Sequence, residues 1–231
     1  MWDLESKLNG ISPWESVNQN KPKNIRTALT VSLSSPDRMA KEALNYGKCD
    51  LLKLKLGSEN VLESIAAVRQ VAPKAKIIID ANEAWSEEQL RSWQEQLFKM
   101  NIDLVEQPLS SDQDNCLGNF QHLVPICADE SCHTAEDIDR LIGLYDYVNL
   151  KLDKTGGLTE ALNCKNMAKE RGLGIMVGCM VSTSLSMAPA LLLAEDVDFI
   201  DLDGPFLLTK DRFPSLIGSS DELIYNPAVW G

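Results

Sequence analysis

Nowhere does this chain carry the ~20 consecutive apolar residues that a membrane span requires. Its first residues, Met1-Trp2-Asp3-Leu4-Glu5, hold neither a basic patch nor an apolar stretch followed by a cleavage site, so a secretory signal is not expected and the cytoplasm is the expected compartment. The six cysteines (Cys49, Cys116, Cys127, Cys132, Cys164, Cys179) form no C-x-x-C pair, and several sit in apolar segments where a thiol behaves as a small hydrophobe; reduced thiols are expected. The two histidines, His122 and His133, lack metal-ligand spacing, and neither a G-x-S-x-G nucleophile turn nor a Walker loop occurs. Basic residues are too few to offset the acids. A net charge of −12 disfavours nucleic acid, whose binding rests on cations against phosphates, and makes a metal ion or a small cationic group the easier guest. Low-complexity segments and flexible linkers are also absent.

What is present is a repeat. A length of 231 residues, with 44% hydrophobic and 24% charged content, suits one soluble domain near the roughly 250 residues typical of a β/α barrel. Short β-rich runs recur at Ile25–Leu33, Leu51–Leu56, Lys76–Asp80, Asp103–Glu106, Pro125–Asp129, Tyr147–Leu152, Gly174–Gly178 and Phe199–Asp203. Between them lie stretches with helical spacing of apolar residues, such as 59–71, 87–100, 135–143, 158–171 and 185–194. Eight strands alternating with helices predict an α/β fold of TIM-like (β/α)7β type. Trp2–Leu8 reads as a helix stopped by Asn9-Gly10, and residues 205–231 carry turn signals and short β-like pieces.

Functional groups of such barrels come from the C-terminal strand ends, and polar residues fall there repeatedly. The second run, Leu52-Lys53-Leu54-Lys55-Leu56, alternates so that both lysines share a face. The third, fourth and fifth runs end in Asp80, Glu106 and Asp129. Three carboxylates in one low-dielectric cup repel one another unless a cation lies between them, and an oxygen-only donor set suits Mg²⁺, with Mn²⁺ as a substitute. A single strand-end acid more often caps a helix or pairs with an arginine; three in succession facing lysines argue for the ion. In the sixth run Lys151 projects from the wall opposite Lys53 and Lys55. Two lysines across a substrate suit removal of a proton from one face of a carbon and its return to the other, provided that burial, a neighbouring lysine and the metal lower the amine pKa. The bland alternative for Lys151 is an ion pair with Asp153 or Asp129.

The ordered set Lys53-x-Lys55, Asp80-Ala81-Asn82, Glu106-Gln107-Pro108, Asp129-Glu130-Ser131 and Lys151 resembles the enolase superfamily, muconate-lactonizing subgroup, over nearly the whole chain. Gly178-Cys179-Met180 and Asp201-Leu202-Asp203-Gly204-Pro205 look like the dipeptide epimerases that interconvert L-Ala-D-Glu and L-Ala-L-Glu. The resemblance implies that Asp80, Glu106 and Asp129 hold Mg²⁺, which stabilises an enolate when the α-proton leaves. Lys55 and Lys151 are then the acid/base pair, and Lys53 a substrate contact. Asp201 and Asp203 bind the ammonium of a small dipeptide, unless they merely form the turn before Gly204-Pro205.

Members of this family carry an N-terminal capping domain, so residues 1–20 are expected to be a remnant helix, 21–204 the catalytic barrel, and 205–231 a tail that in the family packs toward the cap. A cap-less barrel is expected to keep metal binding with weak turnover, and its apolar rim to favour self-association into a homo-oligomer. Alternatives within the subgroup are N-succinylamino-acid racemase, o-succinylbenzoate synthase and muconate cycloisomerase; outside it, an inactive metal-binding barrel.

Overall fold

The computed structural model describes residues 1–17 and 20–230; residues 18 and 19 of the expected 1–20 segment lie outside them. The strands in chain order are β1 (Ile25–Arg26), β2 (Leu29–Val31), β3 (Leu51–Lys55), β4 (Lys76–Asp80), β5 (Leu104–Glu106), β6 (Ile126–Ala128), β7 (Tyr147–Leu150), β8 (Gly174–Val177), β9 (Phe199–Ile200) and β10 (Glu222–Leu223). Strands β2 to β9 pair in parallel, each with the next in sequence. The edges meet as well: the Ala28 N–H donates to the Ile200 carbonyl at 2.8 Å, and the Leu202 N–H to the Thr27 hydroxyl at 2.7 Å. The sheet thus closes into the expected barrel.

Its helices are α1 (Trp2–Asn9), α2 (Pro13–Ser16), α3 (Pro36–Tyr46), α4 (Val61–Val71), α5 (Glu87–Lys99), α6 (Ile138–Leu141), α7 (Leu152–Thr155), α8 (Leu158–Glu170) and α9 (Ser184–Ala190). Helix α5 illustrates the local logic. Ser86 accepts from the Gln89 N–H while the Gln89 side chain accepts from the Ser86 N–H, and Leu90, Gln94 and Leu97 face inward. No helix among the described residues is long and apolar enough to cross a membrane.

The strands are buried on both faces, which explains runs such as Ile77-Ile78-Ile79. Alternation sorts them. Leu52, Leu54, Ile77, Ile79, Val105 and Ile126 join the core between sheet and helices, whereas Ile78, Leu104, Cys127, Met176 and Phe199 form a separate apolar cluster with Leu51 and Tyr147. That second cluster is the barrel floor. One pleat repeat further along, about 6.6 Å at ~3.3 Å per residue, the inward positions become charged at Lys53, Asp80, Glu106, Asp129 and Asp201, and are Asn149 and Gly178 beyond Tyr147 and Met176.

Gly174 makes the floor possible. A Cβ there would overlap the Tyr147 ring, lying 2.7 Å from its Cζ. Gly174→Ala is therefore expected to destabilise the chain by about 1–3 kcal/mol through overpacking, read as a lower urea midpoint; an unchanged midpoint would mean that Tyr147 can leave the floor freely.

The first β-rich run departs from expectation. Ile25–Leu33 is not one barrel strand: Ile25 and Arg26 pair antiparallel with Leu223 and Glu222, and only Leu29–Val31 enters the barrel. The break occurs where the Thr27 N–H turns to the Asp221 carbonyl. The described tail residues, 205–230, thereby return to the start of the barrel, where Tyr225 meets Trp14 edge-on at 5.3 Å. Helix α1 rests on α8 through a Trp2 Nε1 to Thr159 Oγ1 hydrogen bond of 3.1 Å.

Candidate active site

Lys53 is the centre of the charged layer. Its ammonium is buried and lies 2.7 Å from Asp201 Oδ2, 2.7 Å from Glu106 Oε2 and 3.0 Å from Asp80 Oδ2. Lys55, with its side chain 34% exposed, meets Asp80 Oδ2 at 2.6 Å and Asn82 Oδ1 at 2.9 Å. Across the barrel, Lys151 is 7% exposed and ion-paired to Asp129 Oδ2, with Glu106 Oε1 at 3.8 Å. Of the two ion pairs weighed as the bland alternative for Lys151, the one with Asp129 is present. Every predicted site residue faces one cavity of about 350 Å³ at the strand ends or stands directly behind it. A second cavity of about 230 Å³, between residues 20–25 and 191–196, contains none of them.

Among the described residues no three His, Cys, Asp or Glu side chains gather closely enough to share one ion. The ammonium groups of Lys53 and Lys151 stand between the acids instead. Two observations bear on whether a cation suits this place. Glu106 Oε2 and Asp129 Oδ1 are buried oxygens outside the hydrogen-bond network, met only as ion pairs by Lys53 at 2.7 Å and Lys154 at 2.6 Å among the described residues. Six carboxylates (Asp80, Glu106, Asp129, Glu130, Asp201, Asp203) also face four ammonium groups (Lys53, Lys55, Lys151, Lys154), leaving surplus negative charge. Hard oxygen donors with unfilled lone pairs and excess charge fit a divalent cation.

The titration behaviour carries the same imprint. Burial and the charge of Asp80 push the Glu106 carboxyl up to about 7, and burial with Asp201 pushes Asp203 up to about 6. Burial also raises Asp80 and Asp129, but Lys53 with Lys55, and Lys154 with Lys151, outweigh it and hold both acids below the usual range. Burial lowers Lys53 and Lys151, yet Asp201, Glu106 and Asp80 raise the first, and Glu106 and Asp129 the second, so both lie above the ordinary lysine value. The lowering expected for a catalytic lysine counted burial, a neighbouring lysine and the bound metal together; the carboxylates around each amine work against it.

Several residues of the site carried no role in the sequence reading. Lys154, on the single turn of α7, donates to the carbonyls of Asp129 (2.5 Å) and Asn149 (2.9 Å). Gln107 is fully buried; its Oε1 accepts from the Asp129 and Ser131 N–H groups, and its Nε2 donates to Leu109 O, Ser131 Oγ and Tyr145 OH. It fixes the turn that presents Asp129. Asn82, Glu83 and Gln107 hold φ values of 42°, 65° and 34° directly after strand ends, a left-handed backbone that strains non-glycine residues and concentrates at working sites. Thr30 donates its N–H to Asp203 Oδ2 at 2.7 Å. Only Asn149, two residues before Lys151 and so on its face, was legible by alternation.

Residues 37–211 match the enolase C-terminal domain-like family. The chain belongs to that family. Among relatives of this enolase-type barrel, the L-Ala-D/L-Glu epimerase of Escherichia coli is 42% identical over 96% of this chain and 70% of its own length. The N-acetyl-D-glutamate racemase of a Pseudoalteromonas species is 42% identical over 92% of this chain and 67% of its own. An Agrobacterium tumefaciens enolase family member with homology to dipeptide epimerases, solved with sodium and L-Ala-L-Glu, superposes with a TM-score of 0.95 at 46% identity, covering all of this chain and 71% of that one. The Cytophaga hutchinsonii dipeptide epimerase, solved with Mg and D-Ala-L-Val, gives a TM-score of 0.89 at 29% identity over 97% and 65%. These relatives are racemases and epimerases acting on amino-acid derivatives, and the match runs over the barrel.

Proposed function

We propose that this barrel epimerises dipeptides of the L-Ala-D/L-Glu type by moving the α-proton of the second residue. One arrangement carries the reading: Lys55 on β3 and Lys151 after β7 flank a row of carboxylates from opposite walls of a single cavity. Asp80, Glu106 and Asp129 are the residues that would hold Mg²⁺, which when bound supplies positive charge against the substrate carboxylate as the α-carbon loses its proton. One lysine, as the free amine, takes that proton from one face of the carbon. The other, as ammonium, gives a proton to the opposite face, so the two exchange protonation states in each turnover and reset through solvent. Asp201 and Asp203 bind the ammonium of the first residue; Asp201 Oδ1 is buried and without a hydrogen bond, an acceptor awaiting a donor. Lys53, the proposed substrate contact, stands among Asp80, Glu106 and Asp201 and offsets their mutual repulsion.

Turnover by these 231 residues alone is expected to be slow. The cavity opens directly to water, with Met180 and Val181 at its edge 54% and 61% exposed, and bases of this kind depend on water exclusion. A dipeptide screen in D₂O with Mg²⁺, followed by mass, tests the reading. Deuterium at the α-position supports it even where net epimerisation is slow. No exchange with any dipeptide would overturn it.

The equal identity to an N-acetyl-glutamate racemase favours one second reading, an N-acylated amino acid as substrate. Such a molecule has no ammonium for Asp201 and Asp203. Because Asp203 titrates at about 6, KM for L-Ala-L-Glu is expected to rise as pH falls below 6 and the carboxylate is neutralised. KM for N-acetyl-glutamate should not follow. Asp203→Asn should imitate low pH for the dipeptide; parallel pH profiles for the two substrates would favour the acylated one.

A further inference from the structure

We propose that Asn149 is a positioning residue for Glu106, binding one carboxylate oxygen so that the other is presented to the cation, and that Gly178 is glycine to make room for it. The inference rests on the metal assignment above and concerns a residue with no role in it so far. Asn149 is fully buried. Its Nδ2 donates to Glu106 Oε1 at 2.7 Å. Its Oδ1 accepts nothing. That orientation is dictated by charge, because turning the amide over would set an oxygen lone pair against a carboxylate oxygen. A buried acceptor left without a donor is unfavourable, and a leucine of similar size would fill the space without that penalty. The amide is explained by what its other half does.

What it does is divide the labour of a carboxylate. Among the described residues, Glu106 Oε1 takes the Asn149 amide with Lys151 at 3.8 Å, while Oε2 lies outside the hydrogen-bond network and is ion-paired to Lys53 at 2.7 Å. A carboxylate held by a directed N–H on one oxygen cannot rotate that oxygen away, so the free lone pairs of the other stay aimed in one direction. Outer groups that orient a ligand oxygen in this way typically contribute 10- to 100-fold in metal affinity.

The neighbouring strand accommodates the amide. A Cβ on Gly178 would fall 2.5 Å from Asn149 Oδ1 and 2.7 Å from Nδ2, closer than real Cβ contacts allow. Gly178 does not have a positive φ, so its backbone does not require glycine; the space required by Asn149 does. Asn149 and Gly178 therefore form a unit on β7 and at the end of β8.

Magnesium titration of the 231-residue chain by calorimetry, with Mn²⁺ electron paramagnetic resonance as a second readout, tests this on Asn149→Leu and Gly178→Ala. Both variants are expected to bind Mg²⁺ about 10- to 100-fold more weakly, and Mn²⁺ bound to either should show an altered zero-field splitting. Far-UV circular dichroism and the metal-free Tm report whether each still folds, and Gly178→Ala, which keeps the amide and displaces it, serves if Asn149→Leu does not fold. Folded variants with wild-type metal affinity and an unchanged Mn²⁺ spectrum would overturn the proposal while leaving the metal site in place. A wild-type chain that binds no Mg²⁺ would overturn both.

Discussion

In Mg²⁺-free buffer near neutral pH, the Lys53→Met chain is expected to be less stable than the wild type by about 3–5 kcal/mol, the usual consequence of leaving buried carboxylates without their counter-charge. Among the described residues Lys53 is the only ammonium within 3.0 Å of Asp80, Glu106 and Asp201 together, and all four side chains are at most 5% exposed. Methionine matches the stem in length, so the effect reads charge rather than volume. Mg²⁺ should then restore part of the loss, because a cation bound by Asp80 and Glu106 replaces what the ammonium supplied. At 100 times its dissociation constant the gain is about 2.7 kcal/mol. Urea denaturation with and without Mg²⁺ measures both halves. An unchanged midpoint would mean that the acids are already neutral in the fold, and a fall that Mg²⁺ does not repair would place the ion elsewhere.

The second large effect is on chemistry. Lys151→Met is expected to lower epimerisation by roughly 10²- to 10⁴-fold, the usual contribution of one acid/base group. Exchange of the α-proton with D₂O should persist for the one stereoisomer whose proton faces Lys55, and be lost for the other. Lys55→Met should give the mirror result. The two walls are not equivalent: the Lys55 side chain is 34% exposed and that of Lys151 only 7%, so protons on Lys55 exchange with water more readily. In the wild type, deuterium should therefore enter faster from the Lys55 side. If either variant loses exchange for both isomers alike, the two lysines do not serve opposite faces.

Much of the site was legible because strand alternation is local. Once Leu51–Lys55 is a strand with Leu52 and Leu54 outward, Lys53 and Lys55 must point inward, and Asp80 and Glu106 follow from the same parity. Asn149 falls under that rule through Lys151, although a buried amide carries no sign of its partner. Lys154 and Gln107 were hidden for another reason. Lys154 lies on a helical turn after the strand, and Gln107 acts through a left-handed backbone at φ 34°, so neither obeys the alternation that exposed the others. The first strand failed because Ile25 and Arg26 have the composition of a strand and are one, yet their partners, Leu223 and Glu222, lie in the tail 198 and 196 residues on.

By itself the sequence determined the barrel, its strand count and the identity of the charged groups at its mouth, because pleat, helical period and turn residues act over a few positions. Tertiary structure alone decided which charges meet. Lys53 binds Asp201, 148 residues away, and Asn149 binds Glu106, 43 residues away, because closure brings first and last strands edge to edge and sets the height of each residue in the cup. The same closure surrounds each amine with carboxylates and so raises Lys53 and Lys151, where burial alone would have lowered them.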